Sequence, residues 1–289
     1  MTIKKLMAPF TSVNSADATF LAAVDAAAPF NAHIDVVHVR QEPAMPTGAY
    51  HPFPYGYVPI DINEVTAAAR SLENDLAAAF NRLCEAHRVK VCLPSEKHAG
   101  DGVTASWRPH AGDYPGDFAR QARAADLIAM ARPNQQSPAF EDDLLEDLLF
   151  QSGLPALIGG PGGAAGPCRS VCIAWDGSKE ASRAAHAAMP FCAKADTVEI
   201  VTIGALPSGV RSADALADYY SLHGLRAGTR AIAPDGRRDC DAMAEHIAAN
   251  DVDLLVMGAY SHSRWREMIL GGFTRFFLHQ EGPALLMAH

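Results

Sequence analysis

The chain has 289 residues, 49% hydrophobic and 20% charged, a composition that excludes a disordered polymer and is long enough for two domains. Twenty-four basic against thirty-three acidic residues leave a formal net charge of -9 with no basic stripe, which weighs against nucleic acid or an anionic membrane as the main partner and points to a small ligand. The first ten residues turn polar before a signal-peptide core could form, no segment has the apolar length of a membrane span, and the six cysteines lack a C-x-x-C pair, which together predict a cytoplasmic protein with reduced thiols.

Taken in chain order, the pattern predicts a strand over 3–8, a helix over 15–28 and a strand over 34–40. A Pro/Tyr/His-rich loop (41–59), a long helix (61–87), an irregular segment (95–116) and a helix (117–125) follow. Leu144, Leu145, Leu148 and Leu149 interleave with Asp142, Asp143, Glu146 and Asp147 as an amphipathic helix with a solvated acidic side, not a paired-carboxylate site. After the apolar run 154–158 comes the Gly/Pro/Ala-rich stretch 159–167, which reads as a linker. Beyond it the pattern predicts strands over 170–175, 197–203, 226–232, 253–257 and 284–287, with helices over 178–192 (capped by Ser178), 213–223, 240–250 and 273–280. Cys168 and Cys172 bracket the start of one strand at a spacing of four, which would put them on one face as core thiols and not metal ligands.

The chain also repeats itself: 124–131 reads like 250–258, and 152–158 like 281–287, at nearly the same offset. Duplication predicts two domains, 1–158 and 168–289, each a doubly wound α/β unit with a mostly parallel five-stranded sheet covered by helices. The apolar edge runs 154–158 and 284–287 are the strands expected to pair between halves or between chains. Late in the second half, the strand Leu254-Leu255-Val256-Met257-Gly258 leads into a polar loop and a glycine pair, Gly271-Gly272, that opens an apolar helix. A connection of this kind aims a strand end and free helix N–H groups at one point, where glycines let an anion approach the backbone.

With Val171-Cys-Ile-Ala-Trp-Asp176-Gly-Ser178 ahead of it, and with Gly258-Ala-Tyr-Ser261, nine residues and Gly271-Gly272-Phe-Thr274, the second half resembles a universal stress protein domain. The whole chain is similar to the tandem members of that family. The family pattern is G-x2-G-x9-G-[S/T]; nucleotide-binding members use the aspartate near the adenine and the signature around ribose and phosphates. The resemblance therefore implies an adenine nucleotide, ATP or AMP, at Asp176, Gly258, Ser261, Gly271, Gly272 and Thr274, with Arg264 supplying a phosphate contact. It implies a Rossmann-like fold, a regulatory role in the stress response without dedicated catalysis, and two halves that imitate a dimer, with a homodimer as a further level.

Two positions depart from the signature. Ser261 replaces the second glycine, costing about 1 kcal/mol if its backbone is left-handed. Gly272 stands where Ser or Thr would offer a hydroxyl, so one charge-assisted bond of about 1.5–3 kcal/mol is lost, which favours AMP or another shortened anion over ATP. Arg264, Arg266 and Arg275 suit replacement phosphate contacts, and equally suit pairing with Glu267 and solvent. The first half has Phe10 at the position of Asp176, and no glycine over 131–138, so no phosphate cradle is expected there. Twelve histidines show no H-x3-H or H-E-x-x-H spacing, no G-x-S-x-G elbow occurs, and no metal or hydrolase site follows from a motif. The competing reading is a partner-binding stress protein with both sites vestigial and the loops 41–59 and 95–116 facing an unidentified protein.

Overall fold

The computed structural model describes residues 2–41, 62–98, 100–133, 140–160, 168–259 and 272–289, and for 140–142 the backbone alone. Gln41 ends β2, and the rest of the predicted loop, 42–59, and most of the linker lie outside these residues. The first half runs β1 (Lys5–Pro9), α1 (Val13–Ala27), β2 (His33–Gln41), α2 (Ile62–Ala86), β3 (Lys90–Val91), β4 (Thr104–Gly112), α3 (Gly116–Ala122), β5 (Leu127–Met130), α4 (Phe140–Gln151) and β6 (Ala156–Ile158). The second runs β7 (Ser170–Ala174), α5 (Lys179–Cys192), β8 (Thr197–Ile203), α6 (Ala213–Leu222), β9 (Gly228–Ile232), α7 (Asp239–Ala249), β10 (Leu254–Gly258), α8 (Gly272–His279) and β11 (Ala284–Ala288). Serines start the helices after β1 and β7: Ser12 Oγ accepts from Ser15 N at 3.2 Å and Ser178 Oγ from Ala181 N at 3.0 Å, each satisfying an otherwise orphaned N–H. No helix among the described residues is long and apolar enough to cross a membrane.

All strands join one sheet in the order β3-β4-β2-β1-β5-β6-β11-β10-β7-β8-β9. Every pairing is parallel except β6 with β11, where Ile158 faces Leu285 and Ala156 faces Met287. The two edge runs thus pair with each other inside the chain, and the expected pair of five-stranded sheets becomes one continuous sheet, of eleven strands among the described residues. The first half supplies a sixth strand because the segment read as irregular contains β4, nine residues long and paired with β2 from His33↔Thr104 to Gln41↔Gly112. Pro109 and Gly112 disguised it. Beyond Ala105, β4 has β2 as its only strand neighbour among the described residues, so a proline lacking an N–H is tolerated on its open side.

Helices α1, α2, α5 and α6 pack on one face and α3, α4, α7 and α8 on the other. Both cores run through the junction: Leu157 and Leu286 contribute to the first, Ile158 and Leu285 to the second, and Phe30 meets Phe191 edge-on at 5.2 Å between ring centroids. Cys168 and Cys172 are both buried, but they join opposite cores, because Cys168 precedes the strand and escapes its two-residue alternation. Burial pushes their thiols up to about 11 and about 12, so both stay protonated at neutral pH.

One polar network interrupts the first half's sheet. Asp35 on β2 is buried and accepts from Ser106 Oγ at 2.7 Å, Lys5 Nζ at 2.7 Å and Arg108 Nε at 2.9 Å, while His33 Nε2 lies 3.2 Å away. Burial raises the Asp35 carboxyl, but the bonds from His33, Lys5, Ser106 and Arg108 outweigh it and hold it well below the usual carboxylate range.

Candidate functional site

In the second half the strand order β9-β8-β7-β10-β11 reverses direction between β7 and β10. α5, which follows β7, packs on one face of the sheet and α8, which follows β10, on the other, the topology that in open α/β sheets places a crevice at the carboxyl ends of the strands. Ligands of open α/β sheets bind at such switch points. β7 and β10 are adjacent and parallel, with Val256 opposite Ile173, which sets the end of β10 beside Trp175 and Asp176. Trp175 N donates to Val201 O at 2.8 Å, Asp176 is exposed, and Asp176 Oδ1 accepts from Ser178 N at 2.9 Å, turning the chain into α5. Gly177 between them has φ +73, and a Cβ there would stand 1.9 Å from Val210 Cγ1.

Gly258 closes the other side. A Cβ on it would lie 2.6 Å from Ala181 N and 2.9 Å from the carbonyl carbon of Glu180, so the end of β10 rests backbone to backbone on the first turn of α5. Asp176 and Gly258 are thus brought together at the ends of neighbouring strands. Gly272 and Thr274 fall in the first turn of α8, with Thr274 buried and Arg275 exposed. A Cβ at Gly272 would meet nothing within 4 Å among the described residues, so packing does not demand a glycine there as it does at Gly258. Ser261, Arg264 and Gly271 lie outside the described residues.

Three features at this end of the sheet escaped the sequence reading. Thr202 on β8 is buried on the α5 side, level with the end of β7, and its hydroxyl has no hydrogen-bond partner among the described residues. Glu180 is buried in the first turn of α5 with Lys179 Nζ 3.3 Å away, placing a carboxyl-bearing side chain against Gly258. A groove of about 440 Å³ opens beside Ala259, between the loop Gly153–Pro155 of the first half and Arg183, His186, Ala288 and His289 of the second. Arg183 Nη1 donates to His289 O at 2.7 Å, and the His289 ring holds the Ala259 carbonyl at 3.0 Å through Nδ1.

The corresponding crevice of the first half is closed. Phe10 is fully buried edge-on against Phe20 and Trp107, at 6.4 and 6.2 Å between centroids. Ala131, the counterpart of Gly258, donates its N–H to Thr19 Oγ1 at 3.1 Å, and the cleft between Pro9, Thr19 and Ala131 is too narrow for a water molecule. His38 is buried there, stacked on Trp107, with Nδ1 2.9 Å from Phe10 O. Burial lowers its pKa more than the Phe10 carbonyl and Glu73 raise it. The native state therefore binds fewer protons than the unfolded chain, so stability should be fully present above the unfolded value of about 6.5 and fall as pH drops below it. Urea midpoints between pH 7 and 5 should decline in the wild type and decline less in His38→Gln; equal slopes would refute this assignment.

No family model and no curated protein matches the sequence. Solved structures do match the fold. A universal stress protein from Archaeoglobus fulgidus DSM 4304 is 16% identical, with a TM-score of 0.68 over 98% of this chain and 97% of that one. A protein of Pseudomonas aeruginosa UCBPP-PA14 assigned provisionally to the same family is 13% identical, with a TM-score of 0.53 over 98% and 92%. At these identities the common property is architecture: the chain has the universal stress protein fold across nearly its whole length.

Proposed function

We propose that this chain is a regulatory stress-response protein whose second half binds an adenine nucleotide in the crevice between β7 and β10, without dedicated catalysis. The observation that carries the reading is the seat of Gly258 on the first turn of α5, since it brings a bare strand end and the N–H groups of α5 to the switch point beside Asp176. The unpartnered hydroxyl of Thr202 adds an unmet hydrogen bond at the same level. Asp176 would accept from the adenine or ribose; Gly258, Ser261, Gly271, Gly272, Thr274 and Arg264 would surround ribose and phosphate. The buried carboxylate of Glu180 and the missing hydroxyl at Gly272 both disfavour a long polyphosphate, so AMP is the preferred ligand. A nucleotide that binds one conformation better than another would shift the protein toward it. We read residues 1–158 and 168–289 as two domains of a fused dimer in the cytoplasm, and a homodimer of the full chain is a further level of the same proposal.

Glu180 also favours a second reading, in which its charge leaves the site vestigial and the protein acts through a protein partner. Calorimetry with AMP, ADP and ATP separates the two. Binding is expected, with AMP tightest, and Asp176→Ala should weaken it about tenfold or more, the loss of one hydrogen bond to a charged group. Absence of heat with all three, together with no nucleotide released on denaturing the purified protein, would favour the vestigial reading. An unaltered affinity in Asp176→Ala would refute the placement of the base.

A further inference from the structure

Arg132 follows β5 by two residues, at the position where the second half has Ala259. Its side chain leaves the first half and meets the second. Nε donates to Gly159 O at 3.3 Å, Nη1 to Gln280 O at 3.0 Å and to Phe277 O, and Nη2 to Pro283 O. All four partners are main-chain carbonyls. Phe277 lies in the last turn of α8, Gln280 and Pro283 in the connection to β11, and Gly159 just beyond β6.

The last turn of a helix carries carbonyls with no partner inside the helix and the negative end of its dipole, so a guanidinium satisfies both. α8 needs such help, because eight residues make about two turns and helices that short do not hold themselves in water. Its opposite end, at Gly272, is the end assigned above to phosphate. The other end of the β6–β11 junction, beside Ala259, has the open groove in place of a clamp.

We infer that Arg132 is a positioning residue through which the first half holds α8, and with it the phosphate-facing helix end, in place for the site of the second half. This rests on the nucleotide reading given above. The half whose own crevice is closed is thereby required by the other, and the coupling is reciprocal: whatever orders the α8 N-terminus strengthens the clamp, and the clamp strengthens binding. Burial lowers the guanidinium pKa to about 10, which leaves it cationic at neutral pH. Lysine is no substitute, since one ammonium cannot reach carbonyls spread around a planar fork.

The test uses the full chain with Arg132→Gln and Arg132→Lys, read by AMP calorimetry and by hydrogen exchange along the sequence. Arg132→Gln should weaken AMP binding about tenfold, with Arg132→Lys failing to restore it. In both variants the amides of 272–279 should exchange faster while those of β6 and β11 keep their protection. Wild-type affinity together with wild-type exchange in α8 would overturn the inference, and so would faster exchange spread evenly over β6, β11 and α8, which marks a junction stabiliser only. Should Arg132→Gln not fold, Arg132→Lys alone carries the same comparison. If the wild type binds no adenine nucleotide, the site reading fails while the clamp is still decided by exchange: faster α8 exchange upholds it, and unchanged exchange overturns it.

Discussion

Replacing Gly258 by valine is expected to destabilise the protein by about 3 kcal/mol, the upper part of the range for overpacking, and to abolish the nucleotide binding proposed for the second half. The added Cβ would stand 2.6 Å from Ala181 N and 2.9 Å from the Glu180 carbonyl carbon. Both are main-chain atoms at the start of a capped helix, and neither can swing aside as a side-chain tip would. β10 and α5 must move apart, which opens the crevice that Asp176 and Gly258 enclose. Gly272→Ala is the contrasting substitution, because its Cβ meets nothing within 4 Å among the described residues, and its denaturant midpoint should stay at or above the wild-type value. A wild-type midpoint in Gly258→Val would show that α5 does not rest on β10 as described.

Asp35→Ala should cost about as much, roughly 3 kcal/mol, the low end for breaking a buried ion pair, because Lys5 and Arg108 keep some solvent. The substitution leaves those two cations and His33 facing one another without the carboxylate that they share. The pH dependence should change with it. The folded Asp35 carboxyl titrates below its unfolded value of about 3.9, so its contribution is fully present above that pH and is lost as pH falls further toward the folded value. Urea midpoints measured from pH 5 down to pH 3 should therefore fall less steeply in Asp35→Ala than in the wild type. A parallel decline in both proteins would mean that the network does not bias Asp35 in the folded state.

Much of the architecture was legible because local chemistry carries it. Apolar runs such as Leu254–Gly258 can be buried strands only if helices cover both faces, and Ser178 before an alanine-rich stretch announces the start of α5. The places of Asp176 and Gly258 at the ends of neighbouring strands were legible for a related reason: the strand end and the close approach each demand a residue type that shows in the sequence. β4 was missed because its evidence is negative. Pro109 and Gly112 argue against a strand unless an open edge is known to receive them. Thr202 and Glu180 gave no signal either, since a threonine in a strand and an acid in the first turn of a helix are ordinary until burial is known.

What the sequence by itself determined is the alternation of strands and helices, and which half retains a glycine at the switch point. Each follows from side-chain polarity and backbone freedom within a few residues. Only the tertiary structure decided that β6 and β11 would pair in antiparallel register, that two sheets would become one, and that Arg132 would close on Phe277, Gln280 and Pro283. The physical reason is that all three rest on main-chain groups. Every residue carries a carbonyl, so an arginine that binds carbonyls about 150 positions away leaves no partner residue in the sequence to betray it.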